Sequence, residues 1–307
     1  MKLFYVSQLL SVVTSCLAFS TRPQIRQGST RHPHHVLHSS YLDSLARPYA
    51  TAPLTSSPTA VAPPATSSNE FAVGSDFVYA PLTYFGLDQL TSKGPRTTAD
   101  WGTPHEATRQ LADDDTLCGG SWWCSEGGWP SPNPKAHTEV FYVGKGHGCL
   151  SDADGVRHYF GPGDTVIIPK GHTGRWDVNQ DIHKVWAVND HARIEERGNP
   201  IRVQVIHYQD YHLNTGTPQG YGFQPAETLY DVGPTQVGIW TGLAGSTVKV
   251  TQTKRIWFIV LEGVLVISSD EGRVQRCEAG DTVMLPLGWS GYIEVVKPVK
   301  KLWVQAD

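Results

Sequence analysis

Cysteine is scarce in this chain: five among 307 residues, with Cys16 inside the apolar N-terminal stretch and only Cys118, Cys124, Cys149 and Cys277 beyond it. None of these forms a C-x-x-C pair, so nothing points to a zinc or thiol-redox framework. Cys118 and Cys124 flank Gly119-Gly120-Ser121-Trp122-Trp123 and can meet across a turn. A disulfide there needs an oxidising compartment, so buried or free thiols are the expectation. Strong charge is missing too: the net charge of −4 and pI near 6.3 leave no electrostatic footprint for nucleic acid. Neither Gly-x4-Gly-Lys-[Ser/Thr] nor Gly-x-Ser-x-Gly occurs, which disfavours phosphate-cradling and nucleophile-elbow enzymes.

Acidic residues are absent from Phe19 to Leu42, a stretch with Arg22, Arg26, Arg31 and many Ser, Thr and His. Before it, Met1-Lys2, an apolar run to Val13 and the small residues Ser15-Cys16-Leu17-Ala18 have the layout of a secretory signal peptide, residues 1–18. That run is too short and too polar for a membrane span, and none is expected in the mature chain. Residues 50–69 are low-complexity Pro, Ser, Thr and Ala, so 19–69 reads as a transit peptide and disordered linker. A signal followed at Ala18-Phe19 by a basic, hydroxylated stretch resembles the bipartite plastid-targeting leader of algae with complex plastids. The alternative is a secreted or ER protein with a disordered arm.

What dominates the remainder is a repeat. Gly146, Gly155, Gly163-Asp164-Thr165-Val166, Pro169, Gly171, Gly174, Val178, Lys184 and Trp186 recur 117 residues later, without a gap, as Gly263, Gly272, Gly280-Asp281-Thr282-Val283, Pro286, Gly288, Gly291, Val295, Lys301 and Trp303. Internal repetition decides architecture, and this period is far too long for a solenoid. Each copy reads as short strands and turns. Val140–Val143 and Ile256–Leu261 are β-branched and aromatic runs ending at glycine, Asp154-Gly155 and Glu271-Gly272 are hairpin tips, and Gly-Asp-Thr-Val opens a buried strand stopped by proline. Phe77-Val78-Tyr79 and Ile201–Tyr208 read as leading strands that join the barrel. Trp123 and Trp240, also 117 apart, follow a loop. The fold class is therefore all-β, made twice, with domains at 70–195 and 196–307.

The pattern E-x6-G followed by G-x-G-D-x4-P-x-G-x-x-G-x-W resembles the cupin superfamily of double-stranded β-helix, or jelly-roll, barrels. More narrowly it is similar to the cupin domain of (S)-ureidoglycine aminohydrolase, whose second motif ends in glycine and tryptophan, here Gly174-Arg175-Trp176. The resemblance covers about residues 115–190 and 232–305. It implies a small-molecule ligand, association into homo-oligomers and, in the aminohydrolase itself, a divalent metal, typically manganese, in the C-terminal cupin.

Glu139 lies seven residues before Gly146, the spacing of the metal-ligating glutamate in the common cupin motif. On a strand His137 and Glu139 share a face and project into the barrel with Phe141 and Val143. The histidine positions of that motif hold Pro132, Pro134 and Gly174, so a site for Mn, Fe, Ni or Zn built on Glu139 and His137 needs a ligand from His172, His158, His147 or Asn133. Without metal, His137 and Glu139 form a hydrogen-bonded pair at a polar mouth. Adding 117 turns His137, Glu139, His172 and Trp176 into Lys254, Ile256, Trp289 and Ile293, so a single pocket belongs to the first copy.

Two functions follow. In one, an enzyme of ureidoglycine aminohydrolase type converts a small polar metabolite, with Glu139 as ligand or general base, His137 as ligand or proton carrier, and Trp123, Trp176 and His172 against the substrate. In the other, a non-catalytic bicupin binds a small ligand or a protein without metal, and Lys184 and Lys301 are structural strand ends.

Overall fold

The computed structural model describes residues 76–112, 116–189, 201–213 and 227–306. The signal, transit and linker segments and the junction at 195/196 lie outside them. The first strand is β1 (Val78–Ala80). The first copy follows as β2 (Thr91–Pro95), β3 (Trp101–Gly102), β4 (His105–Ala112), β5 (Leu117–Cys124), β6 (Gly127–Ser131), β7 (Thr138–Asp152), β8 (Arg157–Phe160), β9 (Thr165–Ile168) and β10 (Gly174–Asn189). Strand β11 (Gln204–Ile206) and the short helix α1 (Tyr208–Leu213) lead to the second copy, β12 (Glu227–Val232), β13 (Thr235–Gly242), β14 (Thr247–Thr251), β15 (Arg255–Ser269), β16 (Val274–Glu278), β17 (Thr282–Leu285) and β18 (Ser290–Ala306).

Two antiparallel sheets result, and each contains one strand from the other repeat. The first runs β11-β9-β7-β10-β5-β4-β2, with β8 on β7, β6 on β10 and β3 on β6; the second runs β1-β17-β15-β18-β13-β12, with β16 on β15 and β14 on β18. The leading strands thus do not join the barrel they precede in sequence. Val78 pairs with Met284 and Gln204 with Ile167, equivalent positions in the two copies. A cut at 195/196 separates the sequence repeats but not the sheets.

The repeated Gly-Asp-Thr-Val explains how the exchange is held. Asp281 accepts the Glu278 amide at 2.9 Å, the Leu82 amide at 3.0 Å and the Tyr79 hydroxyl at 3.0 Å. Asp164 accepts the Gly161 amide at 2.9 Å and the Tyr208 amide at 3.2 Å, and bonds His207 Nδ1 at 3.2 Å. One aspartate per copy therefore closes its own turn and clamps the chain just past the strand delivered by the other copy. Buried backbone donors need such partners.

Strand β7 alternates between two cores. Phe141 and Val143 face the first barrel's interior with Leu150, Phe160, Val166 and Val203, whereas Val140 and Tyr142 face a second layer that also takes Trp257, Ile259, Leu261 and Leu302 from the other copy. Burial on both faces is why these strands read as unbroken apolar runs. Phe258, Val260 and the exchanged Phe77 fill the second barrel. Gly146 and Gly263, at φ +83 and +84, sit where β7 and β15 shift register, and a Cβ there would collide with the carbonyls of Asp181 and Pro298. Only glycine accepts both that dihedral and that approach.

Candidate functional site

A cavity of about 530 Å³ opens into the first barrel. Strands β4, β5, β7 and β10 supply Glu106, Trp122, Glu139, Trp176, Lys184 and Trp186; the neighbouring segments add Lys93, Arg96, Trp129, Lys135 and His137. At its floor Glu139, 8% exposed, is held by two ammonium groups: Lys184 donates to Oε1 at 2.6 Å and Lys135 to Oε2 at 2.5 Å. Burial alone would push this carboxyl up, but the two lysines overcome it and hold the group far below the usual carboxylate range. Lys184 is itself buried, which holds it below the ordinary lysine value against the pull of Glu139. Its Nζ lies 4.0 Å from the ring centre of Phe141, 4.7 Å from Trp176 and 4.8 Å from Trp122, so aromatic faces share its charge with the carboxylate.

The upper wall repeats this chemistry. Arg96 donates through Nη2 to Glu106 Oε2 at 3.0 Å, Trp122 Nε1 donates to the same oxygen at 3.0 Å, and the guanidinium stacks 4.2 Å above Trp129. Trp129 and Trp176 stack at 14°. Lys135 is placed by its backbone: its amide donates to the His172 carbonyl at 2.9 Å and its carbonyl accepts from Gly171 at 2.7 Å. Both carboxylates are thus already paired, while four cationic side chains line the space.

Of the residues anticipated from sequence, Glu139, His137 and Trp176 line this cavity, and Trp123 and His172 do not. Trp123 is displaced by register. Trp122 pairs across from Lys184 just as Trp240 pairs across from Lys301, so the counterpart of Trp240 is Trp122, 118 residues away rather than 117. A one-residue slip moves a strand side chain to the opposite face. His172, 4% exposed, instead bonds Asp152 Oδ1 through Nε2 at 3.0 Å; Asp152 also takes His158 at 2.7 Å and the Val203 amide at 3.1 Å. Burial lowers the His172 pKa, with Asp152 opposing. This cluster ties β7 to the segment leading into β11.

Lys184, Lys135, Arg96, Glu106 and Trp122 were not anticipated as site residues. The available signal was Lys184 itself, a charge set among Ile182, Val185 and Trp186. The donor set does not fit a resident divalent metal. Both oxygens of Glu139 face ammonium groups that would repel a further cation, and no group of three or more His, Cys, Asp or Glu is arranged to ligate one among the described residues.

Residues 111–186 and 231–303 match the EutQ-like cupin domain. No curated protein matches the chain. Among solved structures, the putative glyoxylate induced protein from Pseudomonas aeruginosa superposes with a TM-score of 0.55 at 16% identity, over 80% of this chain and 93% of that one. Ylba from E. coli gives 0.53 at 10% identity, over 78% and 94%. Salicylate 1,2-dioxygenase from Pseudoaminobacter salicylatoxidans, in its gentisate adduct, gives 0.56 at 12% identity, over 78% and 83%. At such identities the likeness is one of fold. The doubled motif, the doubled barrel and the two matched segments give this chain the two-barrel fold of a bicupin, with a segment similar to the EutQ-like cupin domain in each repeat.

Proposed function

We propose that the first barrel binds a small polar metabolite bearing a carboxylate, a ureide by the ureidoglycine aminohydrolase resemblance or a small 2-oxo acid such as glyoxylate. One observation carries this reading: Lys93, Arg96, Lys135 and Lys184 line the cavity against only Glu106 and Glu139, both already paired. An anion entering this space meets cationic donors and indole faces. The Lys135 ammonium has three N–H groups, commits one to Glu139 and is partly exposed, so it is the donor nearest at hand. Glu139 is held too acidic to serve as an effective general base near neutral pH, which favours binding over proton abstraction at this residue.

Calorimetric titration with glyoxylate, and with hydantoate as a ureide carboxylate, tests this. Binding that weakens with salt, and by about tenfold in Lys135→Met, is expected. Equal binding of the neutral amide analogues, or no effect of Lys135→Met, would refute it.

We propose further that residues 1–69 direct the protein to a plastid, with secretion through the ER as the alternative. Residues 1–69 fused to a fluorescent protein should direct it there; secretion of the fusion would replace this reading with the ER alternative.

A further inference from the structure

The second barrel contains a counterpart of the buried ammonium without its carboxylate. Lys301, 8% exposed, has its Nζ 4.2 Å from the ring centre of Phe258 and 4.7 Å from Trp240, the arrangement that Phe141 and Trp122 give Lys184. At the positions of Glu139 and Lys135 stand Ile256 and Gln252, and among the described residues no carboxylate pairs with Lys301. The walls change in the same sense. By strand pairing, Trp129 and Trp176 become Val248 and Ile293, so two indoles give way to aliphatic side chains.

In the same barrel the side chains of Trp240, Val248, Val250, Ile256 and Trp303 are each only partly buried, although all pack on its core, and Trp240 is the one that also faces Lys301. Trp303 follows Lys301 by two residues on β18 and so shares its face. Its indole Nε1 is buried with no acceptor. An ammonium and an indole N–H, both lacking an anionic partner, therefore lie on one face beneath an apolar rim. Leaving a charge and a donor unsatisfied in such surroundings is costly, and a bound anion would relieve both.

We propose that the second barrel is a separate site for an amphipathic monocarboxylate, its head on Lys301 and Trp303 Nε1 and its hydrocarbon tail against Trp240, Val248 and Ile256. Lys184 has its carboxylate built in as Glu139; Lys301 takes one from the ligand. The two barrels then differ in ligand class, small and polar in the first, apolar-tailed in the second.

Octanoate titrated into the full chain, followed by tryptophan fluorescence and calorimetry, tests this. Binding should persist in Lys184→Met, weaken by about tenfold or more in Lys301→Met, and exceed that of octanol by a similar factor. Should Lys301→Met fail to fold, the native chain still decides. Octanoate affinity should fall as pH rises through about 8, where the Lys301 ammonium loses its proton. Equal binding by Lys301→Met, a pH-independent affinity, or loss of binding in Lys184→Met alone would overturn it. Loss of glyoxylate or hydantoate binding alone would bear only on the first barrel.

Discussion

Lys184 and Lys301 occupy the same place in the two barrels, 117 residues apart, each over a phenylalanine and a tryptophan, yet among the described residues only Lys184 meets a carboxylate, Glu139 at 2.6 Å. One substitution between the copies, Glu139 against Ile256, sets this difference, and several outcomes follow from it.

Glu139→Gln should be among the most destabilising changes in the first barrel, by about 3–5 kcal/mol, because it strands a buried ammonium. Adding Lys184→Met should restore most of the loss, since an apolar side chain of similar length suits the aromatic box. Urea unfolding of the single and double variants measures both. A single-variant cost under about 1 kcal/mol would mean that the pair is not buried as described.

Lys301→Met should stabilise the ligand-free protein at neutral pH, by about 1–3 kcal/mol. Burial lowers the Lys301 pKa from 10.5 to about 8. Below pH 8 folded and unfolded chains both carry the proton; between 8 and 10.5 the unfolded chain binds more protons, so this residue's contribution to stability rises with pH across that window. The advantage of Lys301→Met over the native chain should therefore shrink from pH 8 to 10. Melting curves across that range check the sign, and a gap that widens would be inconsistent with a buried, depressed lysine.

Asp164→Ala and Asp281→Ala should have similar effects despite lying in different copies. Each removes an acceptor for two backbone amides, one of them just beyond the exchanged strand, at Tyr208 or Leu82. A loss of about 1–3 kcal/mol is expected. Hydrogen exchange should quicken at Tyr208 in the first variant and at Leu82 in the second. Quickening at Leu82 in Asp164→Ala, or at Tyr208 in Asp281→Ala, would contradict the exchange.

Trp122→Ala and Trp123→Ala separate two neighbours. Trp122 borders the cavity, bonds Glu106 and faces Lys184, so its loss should weaken binding of the small carboxylate by about tenfold. Trp123 lies on the other face of β5, and its variant should retain affinity within about twofold. The reverse ranking would place the site on the other face of the sheet.

Much of the fold was legible because it was written twice. The glycines at 146 and 263, the Gly-Asp-Thr-Val segments and the stopping prolines carry local requirements, such as a positive φ, a closed turn or a terminated ladder, that residue type alone expresses. The inward face of Glu139 was legible from period two. The site was less so. The gapless alignment placed Trp123 opposite Trp240, and one additional residue between β5 and β7 reversed the face; His172 looked like a mouth residue because nothing nearby in sequence announces its bond to Asp152, twenty positions away.

The sequence by itself determined two all-β barrels of one design and an ionisable group pointing into the first, because strand periodicity and turn chemistry are local. Only the tertiary structure decided that the barrels trade their leading strands, that Glu139 is neutralised by Lys135 and Lys184, and that Lys301 has no such partner among the described residues. Each of these depends on which distant segments meet, and in a buried, weakly screened interior that meeting decides whether a charge is a partner or a vacancy.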